Sequence, residues 1–283
     1  MFQINWKWKA FLYKIFGILR LKIIFHFIQK YVTKRSKVNI KQINKIWVYH
    51  AESIEKNNIK NILEIGAGKS LEQNIYISYR FNNSISQTAI DINQMLDFEL
   101  VNQASTQIAN ILKQKKKEIV ENLKDLKNIY NIDYIAPCDL KKIKGENRKF
   151  DMSVSTTALE HFTTTELYEY LDDLKTVLRK DGFVSAGIDY SDHYSHTDRN
   201  ISNLNYLSYS KQEWEKYNNA YLYQNRLRHQ NYKEIFESGS YKIKDIILGE
   251  MLTPPKKISN EFDINDKDTF VGWAYFLIVK QKN

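Results

Sequence analysis

The 283-residue chain is long enough for one substantial domain with an extension, and 43% of its residues are hydrophobic, as in ordinary globular proteins. Its single cysteine, Cys138, excludes an internal disulfide framework and a metal site of several thiolates, and it indicates a reducing compartment, the cytoplasm. The net charge is +9, but 11 of the 42 basic residues precede the first acidic residue, Glu52, so the remainder is nearly neutral. Basic charge confined to one apolar end argues against a nucleic acid partner.

The N-terminal residues 1–50 are predicted to form a basic, amphipathic helical extension. Lysines and Arg20 interrupt its large apolar side chains, so no run of about 20 uncharged residues is available to span a membrane. Residues 19–35 separate apolar from polar side chains on a helical wheel. Two roles stay open: peripheral contact with an anionic membrane at the inner face, made through residues 1–40, or packing on the domain over the active site.

Short β-rich runs alternate with helical stretches from Lys60 onward, which predicts an α/β domain over residues 51–283. The predicted strands are residues 61–65, 87–92, 133–136, 150–155, 182–188, 241–248 and 269–279. The predicted intervening helices are residues 71–80, 94–127 and 165–179. Residues 190–237, rich in Tyr, Asn and His, form a predicted substrate-side insertion. We therefore expect a seven-stranded, mostly parallel sheet, flanked by helices, whose last strand is antiparallel to its neighbour.

A glycine turn follows the first predicted strand. A dinucleotide fingerprint starting at Gly66 would require a glycine where Leu71 stands, and a phosphate-binding loop would require one where Leu63 stands. The pattern that remains is Glu64-x-Gly66-x-Gly68.

With this pattern the chain resembles class I S-adenosylmethionine-dependent methyltransferases, over about residues 58–190 and again over the last two strands. The resemblance implies a Rossmann-like fold and S-adenosyl-L-methionine as cofactor, with the glycine turn at its amino-acid end and Glu64 accepting from its ammonium. It also implies contacts of Asp91 with the ribose, of Asp139 with the adenine, and of the fourth strand's end with the methionine moiety. The expected cofactor residues are Glu64, Gly66, Ala67, Gly68, Asp91, Ile92, Asp139, Leu140, Ser155 and Thr156.

Two of these positions, and the neighbouring Ser70, carry a qualification. Ser70 stands where the family often has a third glycine. Asp91 also suits a helix cap, and Asp139 also suits a turn.

Candidate acceptor-side residues follow the fourth and fifth strands. His161, His193 and His196 are candidate general bases, because an acceptor hydroxyl must lose a proton during methyl transfer. Asp192 is a candidate substrate ligand as a sugar-binding carboxylate. Arg226 and Arg228 are candidate substrate ligands because guanidinium groups suit a phosphate or carboxylate, and surface salt bridges are the alternative for them. The His and Asp residues of the loop leave open a base, a sugar-binding group, a divalent metal or a solvated loop, and we assign no metal ligand.

The region from Asp189 onward also resembles, loosely, methyltransferases of bacterial surface polysaccharides and other sugar-containing metabolites. That resemblance implies O-methylation of a sugar or glycan, on a phosphate-bearing or lipid carrier. The alternatives are methylation of a lipid-like or aromatic small molecule, and a non-catalytic scaffold that keeps the cofactor fold. The oligomeric state is not predicted.

Overall fold

A seven-stranded sheet forms the centre of the fold. The computed structural model describes residues 4–19, 37–219 and 221–281. The strands are β1 (Asn61–Ile65), β2 (Ser86–Ile90), β3 (Ile132–Ile135), β4 (Phe150–Thr156), β5 (Leu178–Asp189), β6 (Tyr241–Leu248) and β7 (Trp273–Lys280). The α-helices are α1 (Trp6–Ile18), α2 (Lys45–Lys56), α3 (Glu72–Arg80), α4 (Phe98–Leu112), α5 (Leu123–Tyr130), α6 (Leu140–Gly145), α7 (Thr164–Val177), α8 (Lys211–Trp214) and α9 (His229–Phe236).

The order of the strands across the sheet is β3-β2-β1-β4-β5-β7-β6. Strands β1 to β5 are parallel, and β7 runs antiparallel to both of its neighbours. The predicted Rossmann-like, mostly parallel sheet with an antiparallel last strand is therefore confirmed. The strand order reverses between β1 and β4, and their carboxyl ends border the crevice in which open α/β sheets bind ligands.

The central strands are buried on both faces. In β1, Ile62 faces one hydrophobic cluster and Leu63 faces the other, and both are fully buried. A parallel strand covered on both sides reads as a nearly continuous apolar run, which is why this strand was recognisable in the sequence. Glu64 is the charged residue within that run, so its burial needs a separate explanation.

The long region of residues 94–127, predicted to be helical, is not one continuous helix. Two helices, α4 and α5, occupy this region. Lys113 adopts a left-handed conformation with φ of 54° and ends α4, while the Asn122 side chain accepts from Asp125 N at 3.0 Å and begins α5. In the lysine-rich run between these two helices, Lys117 Nζ lies 5.1 Å from the ring centroids of Tyr79 and of Tyr130.

The N-terminal helix α1 packs on the segment that follows β5. Trp6 is buried, and its ring stacks on Trp214 with 5.9 Å between the centroids. Trp6 N also donates to Asp198 Oδ2 at 3.0 Å. The helix predicted for residues 19–35 lies, apart from Leu19, outside the described residues.

Helix α2 spans the predicted boundary between residues 50 and 51 and packs against the sheet. The Ile46 side chain lies so close to Gly187 of β5 that a Cβ there would come within 2.3 Å of it. The division into an extension, a domain and an insertion stays a prediction. Among the helices of the described ranges, none is long and apolar enough to cross a membrane.

Candidate functional site

The glycine turn has a backbone that only glycine accommodates easily. Gly66 and Gly68 have φ values of +79° and +68°, in the left-handed region that side chains disfavour. A Cβ on Gly66 would lie 2.6 Å from Cβ of Ala158, in the loop after β4. Gly66 N and Ala67 N both donate to Ile90 O, at 3.0 and 3.1 Å, which ties the turn to the end of β2. The turn therefore borders the crevice with its backbone.

Asp91, at the end of β2, fastens the same turn. Its Oδ2 accepts from Gly68 N at 3.0 Å, and its Oδ1 accepts from Asn93 N at 2.9 Å. It caps no helix, because α4 begins at Phe98 and is capped by Asp97. Each carboxylate oxygen can accept more than one hydrogen bond, so Asp91 keeps acceptor capacity for ligand hydroxyls.

Glu64 presents a buried carboxylate beneath the turn. Its Oε1 accepts from Gln73 Nε2 at 3.0 Å, whereas Oε2 has no hydrogen-bond partner among the described residues. Burial, opposed by the nearby Asn74 amide and reinforced by the charge of Asp91, raises the pKa of Glu64 to about 7. A buried oxygen without a donor is unfavourable, and a cationic donor on a ligand would offset that penalty.

A chain of hydrogen bonds leads from Glu64 to His50, a residue that the sequence analysis missed. The Thr156 hydroxyl donates to Gln73 Oε1, and His50 Nε2 lies 2.9 Å from Thr156 Oγ1. On the other side of the ring, His50 Nδ1 lies 2.6 Å from Ser185 Oγ. Burial lowers the pKa of His50 to about 3, so the ring is neutral and Nε2–H donates to Thr156.

The sequence held one signal for His50. In α2 the buried side chains include Ile46, Trp47, Ala51 and Ile54, and His50 occupies a position on the same helical face. A histidine in such a position is either satisfied inside the core or part of a site, and the sequence alone does not decide between these readings.

A cavity of about 290 Å³ lies where β2 and β3 end. Ile92, Pro137, Cys138, Asp139 and Lys142 line it. Ile92 is apolar and yet 72% exposed, which suits contact with a flat ring. Asp139 Oδ1 accepts from Lys142 N at 2.9 Å and thereby caps α6. The structural role of Asp139 is therefore that of a helix cap and not of a turn residue.

The remaining predicted cofactor residues lie deeper in the protein. Ser155 is fully buried and donates to Ile65 O at 3.3 Å. Leu140 belongs to the hydrophobic core and does not line the cavity. Thr156 ends β4 and is the residue of this group that joins the hydrogen-bonded chain.

The structure brings the three predicted catalytic histidines together, where β4 and β5 end. The ring centroids of His161 and His193 are 5.0 Å apart, and those of His193 and His196 are 5.4 Å apart. His193 Nε2 lies 3.5 Å from Asp189 Oδ2. Although burial opposes ionisation of Asp189, its hydrogen bond with His193 and the charge of that ring hold the pKa of Asp189 below its ordinary value.

Glu160, beside His161, is a second residue that the sequence analysis missed as a site residue. Its side chain is 1% exposed, and neither of its carboxylate oxygens has a partner among the described residues. Burial, followed by the charge of Asp189, raises the pKa of Glu160 well above its ordinary value. Burial also lowers the pKa of His161, whose Nδ1 lies 2.7 Å from Tyr223 O.

The three predicted substrate ligands have their charged groups engaged inside the protein. Arg228 is buried and donates to the carbonyl oxygens of Tyr190, Thr269 and Val271.

Asp192 is fully buried and accepts from Tyr194 N and from Asn205 Nδ2; burial raises its pKa to about 6. Arg226 donates to Tyr209 O at 2.5 Å and pairs with Glu261 at 3.2 Å. These contacts give the three residues a structural role after β5, and none of them supports a direct role in binding substrate.

Comparisons with known proteins concern the fold. No protein-family model and no curated protein matches the chain. The chain is similar to the plantazolicin methyltransferase BpumL in complex with SAH, at 14% identity and a TM-score of 0.46, covering 84% of this chain and 82% of that one.

It is also similar to the 1,6-didemethyltoxoflavin-N1-methyltransferase of Burkholderia thailandensis with bound 1,6-didemethyltoxoflavin and S-adenosylhomocysteine, at 14% identity and a TM-score of 0.48, covering 91% and 86%. A third similar structure is an S-adenosylmethionine-dependent methyltransferase from Clostridium acetobutylicum, at 14% identity and a TM-score of 0.46, covering 93% and 99%. Similarities at this level carry no conclusion about function.

Proposed function

We propose that the chain is an S-adenosylmethionine-dependent methyltransferase. The observation that carries the proposal is the buried carboxylate of Glu64, whose Oε2 has no partner among the described residues and which lies next to the glycine turn. An ammonium group is the donor that such an oxygen accepts best, because it offers both charge and hydrogen bonds. The amino-acid end of S-adenosyl-L-methionine carries that group.

The rest of the crevice fits the same ligand. Asp91 would accept from the ribose hydroxyls with its remaining acceptor capacity. The cavity between Ile92 and Asp139 would take the adenine, with an apolar side chain against the ring and a carboxylate for its amino group. At Gly68 a Cβ would meet nothing within 4 Å, so the backbone of the turn there is open to close approach by a ligand.

When bound, the cofactor supplies an electrophilic methyl group that is transferred by in-line displacement. The chain's own task is then to orient the acceptor and to remove its proton. We assign the proton to a histidine of the loop after β5, His193 or His196. Asp189 is placed to orient His193 through Nε2.

We further propose that the acceptor is a sugar or glycan hydroxyl. The support is the polar character of the sheet edge next to the crevice, where three imidazoles and the Asp189 carboxylate converge. A hydroxylated acceptor can exchange hydrogen bonds with such groups, whereas a lipid-like or aromatic one offers them none.

A methyl-transfer screen tests both levels of the proposal. The full chain is incubated with S-adenosyl-L-methionine and pooled nucleotide sugars, lipid-linked glycans and aromatic acceptors, and products are detected by the mass of an added methyl group. We expect transfer to a sugar-containing acceptor, strongly reduced in the His193→Ala/His196→Ala double variant and unchanged in Tyr168→Ala, on the exposed face of α7. Transfer to an aromatic or lipid acceptor instead would reject the sugar, and no transfer to any pool would count against the enzyme.

We also propose that α1 rests on an anionic membrane surface. Four large apolar side chains are exposed on one side of α1, opposite the buried Trp6. They are Trp8, Phe11, Leu12 and Ile18. All 11 charged residues before Glu52 are basic, which favours anionic headgroups. The buried side of α1 packs on the protein, so the two roles left open by the sequence are compatible.

Co-sedimentation of the full chain with vesicles tests this contact. We expect binding to vesicles that contain anionic lipid, weakened by salt and lost in the Trp8→Ala/Phe11→Ala double variant. The Met251→Ala variant, which removes an exposed apolar side chain elsewhere, is the matched control and should bind like the wild type. Equal pelleting of the double variant and the wild type would rule out α1 as the contact.

A further inference from the structure

Glu160, His161 and His193 converge at the edge of the sheet where β4 and β5 end. Each offers one ligand atom, and the three atoms lie within 4.8 Å of one another. Glu160 and His161 follow β4, whereas His193 follows β5, and these parallel strands are neighbours. Their adjacent carboxyl ends therefore assemble a group of two imidazoles and one carboxylate from distant parts of the sequence.

Glu160 supplies an independent sign that a ligand belongs here. Its carboxylate is buried, and both oxygens lack a hydrogen-bond partner among the described residues. Burying two unpaired acceptors is unfavourable. A cation between Glu160 and the two rings would give these oxygens a partner.

The surroundings of the two histidines match those of metal-ligating imidazoles. His161 donates from Nδ1 to Tyr223 O over 2.7 Å, which fixes the ring and leaves a lone pair on Nε2. Asp189 Oδ2 lies 3.5 Å from Nε2 of His193. Carbonyl and carboxylate oxygens commonly orient ligating imidazoles in this way.

We propose that Glu160, His161 and His193 bind a divalent first-row transition-metal ion, with Asp189 orienting His193. Two nitrogen ligands favour such an ion over Mg²⁺ or Ca²⁺, which prefer oxygen. Ligands about 2.1 Å from an ion lie up to about 4.2 Å apart, so small side-chain rotations close the present spacing. Three protein ligands leave at least one coordination position open.

The role of the ion deepens the proposed function and rests on it. The open position lies at the edge where we place the acceptor, and a metal ion there would bind the acceptor oxygen and make its hydroxyl more acidic. His196, whose ring stacks on His193, then remains as the imidazole that takes the proton.

Calorimetric titration of the untagged full chain with ZnCl₂ tests the site without a methyl donor or acceptor. We expect one ion per chain. The Glu160→Gln variant keeps the side-chain volume and removes the charge, so its affinity should fall by about 10- to 100-fold or more. Co²⁺ is the second probe: its visible absorption should report protein ligation in the wild type and change in this variant.

His196→Gln is the matched control, because this residue lies in the same loop and is not one of the three ligands; its zinc affinity should be unchanged. His193→Gln serves as a second ligand variant if Glu160→Gln does not fold. Absence of stoichiometric zinc binding, or equal loss in His196→Gln and the ligand variants, would overturn the site. Parallel titration with S-adenosylhomocysteine distinguishes the two proposals. A chain that binds zinc but does not bind S-adenosylhomocysteine would retain the metal site and reject the proposed function.

Discussion

At the scale of single residues, the shape of the crevice depends on the side-chain atoms that its glycines lack. Gly66 has no Cβ, and the space that a Cβ would need is taken by Ala158. The pattern around Gly66 was recognisable in the sequence because a turn with positive φ strongly favours glycine. The partner of the turn, Ala158, was not visible, because it depends on how β4 lies beside β1.

Replacing Gly66 with alanine should destabilise the protein and weaken cofactor binding together. The positive φ and the close approach to Ala158 together should lower the free energy of unfolding by about 2–4 kcal/mol. Gly145→Ala is the control, because a Cβ at that helical position meets nothing within 4 Å; it should leave stability equal or raise it by up to about 1 kcal/mol. Urea unfolding measures the stability of both variants, and equal stabilities would refute the steric argument.

His50 illustrates a residue whose role only the folded chain reveals. Its pKa is lowered to about 3 in the folded protein, against 6.5 when exposed. Between pH 6.5 and about pH 3, His50 is therefore protonated in the unfolded state and neutral in the folded state. The contribution of the neutral ring to stability is present above pH 6.5 and is lost as the pH falls toward 3.

A comparison of His50→Gln with the wild type isolates this contribution. As the pH falls from 7 to 5, the wild type should lose stability relative to the variant, by at most about 1.4 kcal/mol for each pH unit below 6.5. Other titrating groups, including Glu64, are shared by the two proteins and cancel in the difference. A difference in unfolding free energy that does not vary with pH would contradict a buried, neutral His50.

At the scale of elements, the folded backbone sets helix boundaries that hydrophobic periodicity could not predict. The helix boundaries around residues 94–127 were missed because the break at Lys113 comes from backbone conformation in a polar run, where neither glycine nor proline marks it. By contrast, β1 and β6 have the bounds that the sequence predicted.

Two tryptophans of α1 give an element-scale prediction. Trp6→Ala removes a buried ring that contacts Tyr194, Trp214 and Tyr217, and it should lower the free energy of unfolding by about 3–5 kcal/mol. Trp8→Ala, two residues away on the exposed side, should change it by less than about 0.5 kcal/mol. Thermal and urea unfolding distinguish them, and similar stabilities would show that α1 is not held by Trp6.

At the scale of the whole molecule, the fold class followed from alternation of strands and helices, which constrains the sheet before any contact is known. The proposed cofactor residues could be named from the sequence because they sit at strand ends in a fixed order. The proposed acceptor side could be named only in part. The histidines were recognised by type, but Glu160 was missed, and Arg228 turned inward, since burial of a polar side chain is decided by tertiary packing.

The proposed function requires one bound cofactor per chain and an ionised Glu64 to pair with its ammonium group. Calorimetric titration of the full chain with S-adenosylhomocysteine should show one site per chain at pH 8. The affinity should fall by about tenfold for each pH unit below 7, because Glu64, with its pKa raised to about 7, must release a proton to pair with the ammonium. Glu64→Gln should bind more weakly at pH 8 and lose the pH dependence, while the neighbouring Glu72→Gln should keep it. No binding, or a Glu64→Gln profile identical to that of the wild type, would contradict the account.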